Sequence, residues 1–158
     1  MITLKIMTRE LCHKLYRSFQ NDPDFYEDMT KFVPFVYRET WVNAYFDRQA
    51  AKQRIYFAVM LDGQPIGEVL LKQIDRENSS CVLGIHLQND TVKGKGYGTY
   101  AEALAVEYAF ERLGLTAVYA DAIRKNTRSQ HVLEKVGFQF THEDASFRYY
   151  KITKAHPA

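Results

Sequence analysis

Apolar residues alternate with polar ones at Ile2, Leu4 and Ile6, then recur every four residues at Leu11, Leu15 and Phe19. The first period predicts a strand and the second a helix ending near Gln20. The stretch NDPDFYEDM is irregular, and beyond it Trp41, Ala44, Tyr45 and Arg48 share one side of a second predicted helix. RIYFAVML reads as a strand closed by the turn Asp62-Gly63, with PIGEVLLKQI as its hairpin partner. After the polar turn RENSS, CVLGIHL reads as a further strand, so an antiparallel meander is expected. From Thr99 the apolar positions Ala103, Val106 and Phe110 keep helical spacing up to Gly114, where LTAVYADAI resumes a strand pattern. A short helix from Ser129 to Val136, stopped by Gly137, and two strands within FQFTHEDASFRYYKIT complete a mixed α/β chain.

The joint between the CVLGIHL strand and the next helix is VKGKGYGTY, with Gly94, Gly96 and Gly98 at alternate positions and Lys93 and Lys95 among them. Amides at a helix start lack intrahelical partners, and the helix dipole adds partial positive charge there. Glycines let the backbone approach an anion and permit positive φ, so a phosphate is a natural occupant. A tight packing turn is the alternative reading of the same run. Spacing excludes two familiar phosphate loops. The Walker pattern needs Lys-Ser/Thr after its last glycine, where this chain has Thr99-Tyr100, and the dinucleotide fingerprint needs G-x-G-x-x-G.

A chain of 158 residues, 46% apolar and 14% aromatic, suffices for one sizeable core, so a single domain over 1–158 is expected. Its 21 basic and 19 acidic residues are interleaved, and a net charge of +2 offers no basic stripe for a nucleic acid. No apolar run approaches the ~20 residues of a membrane span, and the N-terminal alternation is that of a strand; a soluble, cytoplasmic protein without a membrane partner is expected. Cys12 and Cys81 lie far apart, and no Cys/His group has metal-ligand spacing, so neither a disulfide nor a bound metal is expected.

KGKGYGT, the helix ending YAFERLGL, the strand AVYADAI and then NTRSQHVLEKVGF together resemble the GNAT superfamily of acetyl-CoA-dependent N-acetyltransferases. The likeness is strongest to its branch of ribosomal-protein N-terminal acetyltransferases and related small-amine enzymes. Lys93, Gly96 and Gly98 meet the family loop; Asn126, Ser129, Glu134, Lys135, Gly137 and Phe138 meet its later N-x-x-S and E-K-x-G-F pattern. The match runs from about Cys81 to about Phe140. The resemblance implies a mostly antiparallel sheet of about seven strands, splayed between the fourth and fifth and flanked by about four helices. It implies acetyl-CoA as cofactor and a primary amine as acceptor, either a protein N-terminus or a small amine such as a polyamine, an amino acid or an antibiotic. The oligomer it allows is a monomer or a homodimer. A non-catalytic acyl-CoA-binding module on the same scaffold is the alternative.

Carried over residue by residue, the resemblance places Val92, Lys93, Gly94, Lys95, Gly96, Tyr97, Gly98 and Thr99 around the pyrophosphate. It sets the backbone near Leu87 and Gln88 along the pantetheine arm, Asn126 opposite it and Ser129 near the sulfur. Asn126 as a turn residue and Ser129 as a helix cap are the plainer readings. Acetyl transfer needs a neutral amine in line, a donor for the carbonyl oxygen, and proton routes to and from the reacting atoms. A backbone N–H near Leu87 suits the carbonyl oxygen. Where many relatives carry a tyrosine as thiolate acid this chain has Leu133, which leaves Ser129 as the nearest substitute. His86 and Glu68 are the candidate bases, with Glu143 behind them; His86 has an ordinary pKa of ~6.5, and Glu68 interrupts an apolar strand. Glu68 needs a partner if it faces inward and none if it faces water. Asp22, Asp24, Glu27 and Asp28, with Phe25 and Tyr26, form an acidic and aromatic stretch where relatives build the acceptor cleft; such a surface attracts cations, or is merely solvated.

Overall fold

The computed structural model describes residues 1–21, 23 and 29–155. Its seven strands are β1 (Ile2–Ile6), β2 (Ile55–Leu61), β3 (Gln64–Asp75), β4 (Ser80–Leu87), β5 (Ala117–Ile123), β6 (Gln139–Glu143) and β7 (Phe147–Thr153). They form one sheet in the order β1-β2-β3-β4-β5-β7-β6. The α-helices among the described residues are α1 (Arg9–Arg17), α2 (Glu39–Ala51), α3 (Tyr97–Glu111) and α4 (Thr127–Val136). Every neighbouring strand pair is antiparallel except β4 and β5, which run parallel and pair only through Ser80–Val82 against Ala117–Tyr119. Beyond those residues the two strands part.

The period-2 pattern of β2 sorts its side chains onto two cores. Phe57 and Val59 face α3 with Val69, Leu71, Leu83, Ala101 and Ala105, while Tyr56, Ala58 and Met60 face α1 and α2 with Cys12, Leu15 and Val42. Both faces of β3 are therefore covered, which explains its nearly continuous apolar run. The Asp62-Gly63 turn has φ of 50° and 80°, the two positive values that a tight primed hairpin turn requires.

The helix faces differ from the apolar spacing. On α1 the buried residues are Cys12, Leu15 and Tyr16, with Leu11 and Phe19 only packed at the margin, and the helix stops at Arg17. On α2 they are Val42 and Gln49, and Trp41 is 39% exposed. Both helices are rotated to send tyrosines inward, for a reason that lies beneath them on β3. The last two strands also hold a surprise of order: β7 inserts between β5 and β6 and pairs antiparallel with both. No helix among the described residues is long and apolar enough to cross a membrane.

A bulge in β3 sets the register near the open end. Gly67 pairs with Val59 but Pro65 with Met60, so Ile66 is the extra residue, and side chains from Glu68 onward change face relative to Ile66. A Cβ on Gly67 would stand 2.8 Å from the His86 carbonyl oxygen and 2.9 Å from Leu87 Cδ2. Gly67→Ala should therefore force β4 away from β3 and destabilise the fold by ~1–3 kcal/mol, the usual cost of overpacking, read as a lower urea midpoint at unchanged m value.

Candidate active site

Where β4 leaves β5, its outer edge needs partners. Gln88 donates its N–H to the Ile66 carbonyl (2.7 Å) and accepts from the Gln20 N–H (2.7 Å), and its side chain donates to the Leu15 carbonyl (2.9 Å). Gln88 is thus a tie holding the strand end to α1 and β3, with both of its backbone groups engaged there. Since neighbouring residues of a strand turn their polar groups to opposite edges, Leu87 and Ile85 direct theirs toward the gap.

The gap continues into a string of cavities that share walls. One of about 210 Å³ lies at the start of α3, lined by Leu87, Lys93, Gly94, Gly96, Gly98 and Thr99 from one side and by Arg128, His131 and Lys135 from α4. Leu87, Lys93, Gly98 and Arg128 also line a slot of about 70 Å³ with Ile85, Glu102, Asn126 and Ser129. Ile85, Glu102 and Ser129 continue into a cleft of about 320 Å³ between β4 and β5, where Leu133 and His86 appear. His86 in turn borders a cavity of about 680 Å³ on the other face, walled by Tyr16, Phe19, Phe35, Trp41 and Tyr45.

The glycine run is divided by task. Gly94 and Gly96 have φ of 73° and 83°, and Gly96 serves as the N-cap of α3 in the left-handed region. Gly98 is already helical; a Cβ there would project between Leu87 Cδ1 (3.7 Å) and Val132 Cγ1 (3.8 Å), into the slot. The helix begins at Tyr97, two residues before the expected Thr99, and Tyr97 and Val92 pack on the core instead of lining the cradle. The amides of Val92 and Lys93 are committed to a 3-10 turn, with Asn89 and Asp90 as acceptors. Lys93 remains in the lining through its side chain, which sits 3.6 Å from Asp90, while Lys95 is exposed and outside the lining. Asn126, 4% exposed, caps α4 by accepting from the Ser129 N–H (3.1 Å) and borders the slot as well. The cap is therefore Asn126, and Ser129 stands in the first turn.

Glu68 faces inward and is fully buried. One carboxylate oxygen accepts from Tyr16 (2.7 Å) and Tyr56 (2.8 Å), the other from Tyr45 (2.5 Å) and His86 Nδ1 (3.3 Å). Glu68 and His86 are directly opposed in the β3–β4 ladder, so sheet register alone brings them together. Burial would raise the carboxyl, but the His86 hydrogen bond and charge, with the Tyr45 and Tyr16 hydroxyls, outweigh it and hold Glu68 below its ordinary value. The three phenols are pushed far above their ordinary range, first by burial and then by the Glu68 charge. A carboxylate accepts only, so Nδ1 of His86 carries the proton and a neutral His86 offers Nε2 as its basic atom.

Three residue groups escaped sequence reasoning. Arg128, His131 and Lys135 follow i, i+3, i+7 spacing, a helical signal for a basic face that was available in TRSQHVLEK. The phenol triad combines three elements and had no local signal. Glu102 of α3 is 1% exposed with its Oε2 lacking a hydrogen-bond partner, and burial alone pushes its pKa up to about 8. Glu143 instead pairs with Arg124 and Arg148 at 3.6 and 3.8 Å and lines none of these cavities. The acidic stretch of Asp22, Asp24, Glu27 and Asp28 lies outside the described residues. Among the described residues no cluster of three or more His, Cys, Asp or Glu side chains is arranged to hold a metal.

Residues 2–139 match the family described as acetyltransferase (GNAT) domain. The chain belongs to the GNAT family. Among relatives, it is 31% identical over 103 residues to a Bacillus subtilis (strain 168) protein named "Putative ribosomal N-acetyltransferase YdaF", covering 65% of this chain and 56% of that protein. It is 32% identical over 82 residues to spermidine N(1)-acetyltransferase of Escherichia coli (strain K12), covering 52% and 44%. The chain spans about half the length of these relatives. The solved structure of aminoglycoside acetyltransferase AAC(6')-Ib with coenzyme A superposes with a TM-score of 0.76 over 98% of this chain and 95% of that one, at 20% identity, which establishes the shared GNAT fold.

The buried carboxylate makes a stability prediction. A folded-state pKa below the ordinary 4.5 gives stability that is present above that value and lost as pH falls through the lower folded value. Glu68→Gln removes a buried charge from its donors and should cost ~3–5 kcal/mol at pH 7. The gap between wild type and variant in urea titrations should narrow as pH falls below about 4.5; a gap constant with pH would mean Glu68 is neutral in the fold.

Proposed function

We propose that the chain is one catalytic domain over 1–158 that transfers acetyl from acetyl-CoA to a primary amine. The observation that carries this reading is the series of cavities with shared walls that leads from the basic cradle at α3, past the β4–β5 gap, to His86 at the wall of an aromatic cavity. The residues fit the cofactor. A helix start with Lys93, Arg128, His131 and Lys135 beside it is a polyanion site, and Gly98 keeps the slot beyond it free of a Cβ. The unpaired strand edge at Leu87 and Ile85 suits an arm with amide groups. When bound, the cofactor supplies an acetyl thioester.

Within this reading the amides of Gly94 to Thr99 and the α4 cations hold the pyrophosphate, and Asn126 and Ser129 border the arm. The Leu87 N–H faces the gap and can donate to the carbonyl oxygen as negative charge grows on it. Glu68 fixes the His86 ring through Nδ1 and leaves Nε2 to take the amine proton. The aromatic cavity receives the acceptor. Val33 (70% exposed), Val36 (67%) and Trp41 (39%) rim its mouth, and its described lining contains no Asp or Glu. That supports an amine flanked by apolar groups, such as a polypeptide N-terminus, over a polycation. Two buried free thiols, Cys12 and Cys81, suit the reducing cytoplasm.

Two experiments test the reading. Gly98→Asp adds a carboxylate in the slot yet is favourable to the first turn of α3, so the fold should survive while acetyl-CoA affinity by calorimetry falls at least about tenfold. Arg128→Ala should weaken it as well and Lys95→Ala hardly at all; a folded Gly98→Asp protein with wild-type affinity refutes the cradle. In steady-state assays with a serine-initiated peptide, spermidine and kanamycin, the peptide should be the best acceptor. His86→Ala should lower kcat by ~10²–10⁴ and remove the acidic limb of the pH–rate profile, with acetyl-CoA affinity unchanged. An unaltered limb in the variant would exclude His86.

A further inference from the structure

Glu102 is the one buried carboxyl among the described residues of the passage that the reading above leaves without a task. From α3 it borders both the narrow slot and the β4–β5 cleft, which meet at Ile85, Glu102 and Ser129. Its Oε2 is sealed from water and lacks a hydrogen-bond partner within the protein. An unsatisfied acid in the wall of a ligand passage is costly in its charged form unless something completes it. Leu133, at the position where the resemblance led one to expect a tyrosine acid, lines the same cleft and helps keep that carboxyl dry.

We propose that Glu102 is the acid that protonates the departing sulfur of coenzyme A, a role that rests on the acetyl-transfer reading. As the carbon–sulfur bond breaks and its electron pair passes to sulfur, Glu102 gives its carboxyl proton to that sulfur. The amine nitrogen forms the new bond to the acetyl carbon, and its proton goes to His86 Nε2. The products are the amide and the free thiol, with Glu102 ionised and His86 protonated; exchange with water resets both.

Two further observations support the assignment. Two buried glutamates are pushed in opposite directions, Glu68, behind His86, down by its donors and Glu102, in the passage wall, up by burial, which is the arrangement that separates an ionised from a protonated partner at one pH. A Glu102 value of about 8 also lies close to the ~8.5 of an ordinary thiol, so proton transfer is nearly balanced. The charged or titratable groups facing the same two cavities are Lys72 of β3, His86 of β4, Lys93, Asp121 of β5 and Arg128 of α4; β1, also packed on α3, contributes none to the lining.

The test is Glu102→Gln, assayed with the serine-initiated peptide and by calorimetry. The expected result is a kcat lower by ~10² or more, acetyl-CoA affinity within about threefold of wild type, and loss of the alkaline limb that the wild type shows as pH rises through about 8. Infrared spectra of the wild type should show a protonated carboxyl band at pH 7 that shifts on adding coenzyme A, and the variant should lack it. Wild-type kcat in the variant overturns the proposal, as does a loss of affinity that accounts for the whole loss of rate. Should the variant not fold, the wild-type spectrum decides, and a band that is absent at pH 7 or indifferent to coenzyme A refutes the assignment. Wild-type protein that fails to bind acetyl-CoA overturns the acetyl-transfer reading itself, and this role with it.

Discussion

A strand edge that leaves its sheet must find other partners for its N–H and C=O groups, and in this protein that constraint organises everything downstream. Pairing between β4 and β5 ends at Val82 and Tyr119, after which β4 is held from its other side by β3 and by the Gln88 ties to Ile66 and Gln20. The edge carrying Leu87 and Ile85 is thereby left facing a gap. The passage from the α3 cradle to the aromatic cavity runs through that gap, and each of its walls is fixed by an element that the parting of the strands exposes.

The second constraint is the charge of Glu68. A carboxylate with no access to water is tolerable only when its lone pairs are filled, and here three phenols and an imidazole fill them. Those donors come from α1, α2, β2 and β4, so one charge pins both N-terminal helices to the sheet and fixes the His86 ring. The same demand explains why α1 buries Tyr16 and why α2 turns Tyr45 inward, against the simplest apolar spacing. Stability and ring orientation are thus two effects of a single buried group.

Glu102 occupies the complementary environment on the other side of the sheet. It borders the cleft with Ile85 and Leu133, its Oε2 has no hydrogen-bond partner, and burial pushes it up where the donors of Glu68 hold that carboxyl down. Opposite protonation states are imposed by packing alone, with no difference in the side chains themselves.

Much of this could be read from the chain alone. The meander, the strand–loop–helix unit and the closing hairpin follow from local periods and turn chemistry, because a hydrophobic period of 2 or 3.6 is a property of neighbours in sequence. The alternate glycines before α3 and the N-x-x-S and E-K-x-G-F residues after β5 were likewise legible, since each motif is contiguous. The sequence could not say that β7 would insert between β5 and β6, that Gln88 would be tied away from the gap, or that Glu68 would face inward. Those outcomes depend on which edges remain free once the sheet is assembled. The pairing of Glu68 with His86 depends on the register of β3 against β4 across a hairpin. The phenol triad and the dry pocket of Glu102 depend on side chains from distant segments meeting in space. Local pattern determined the elements and the loop; the burial that makes one glutamate a charge and the other an acid was decided only when those elements packed.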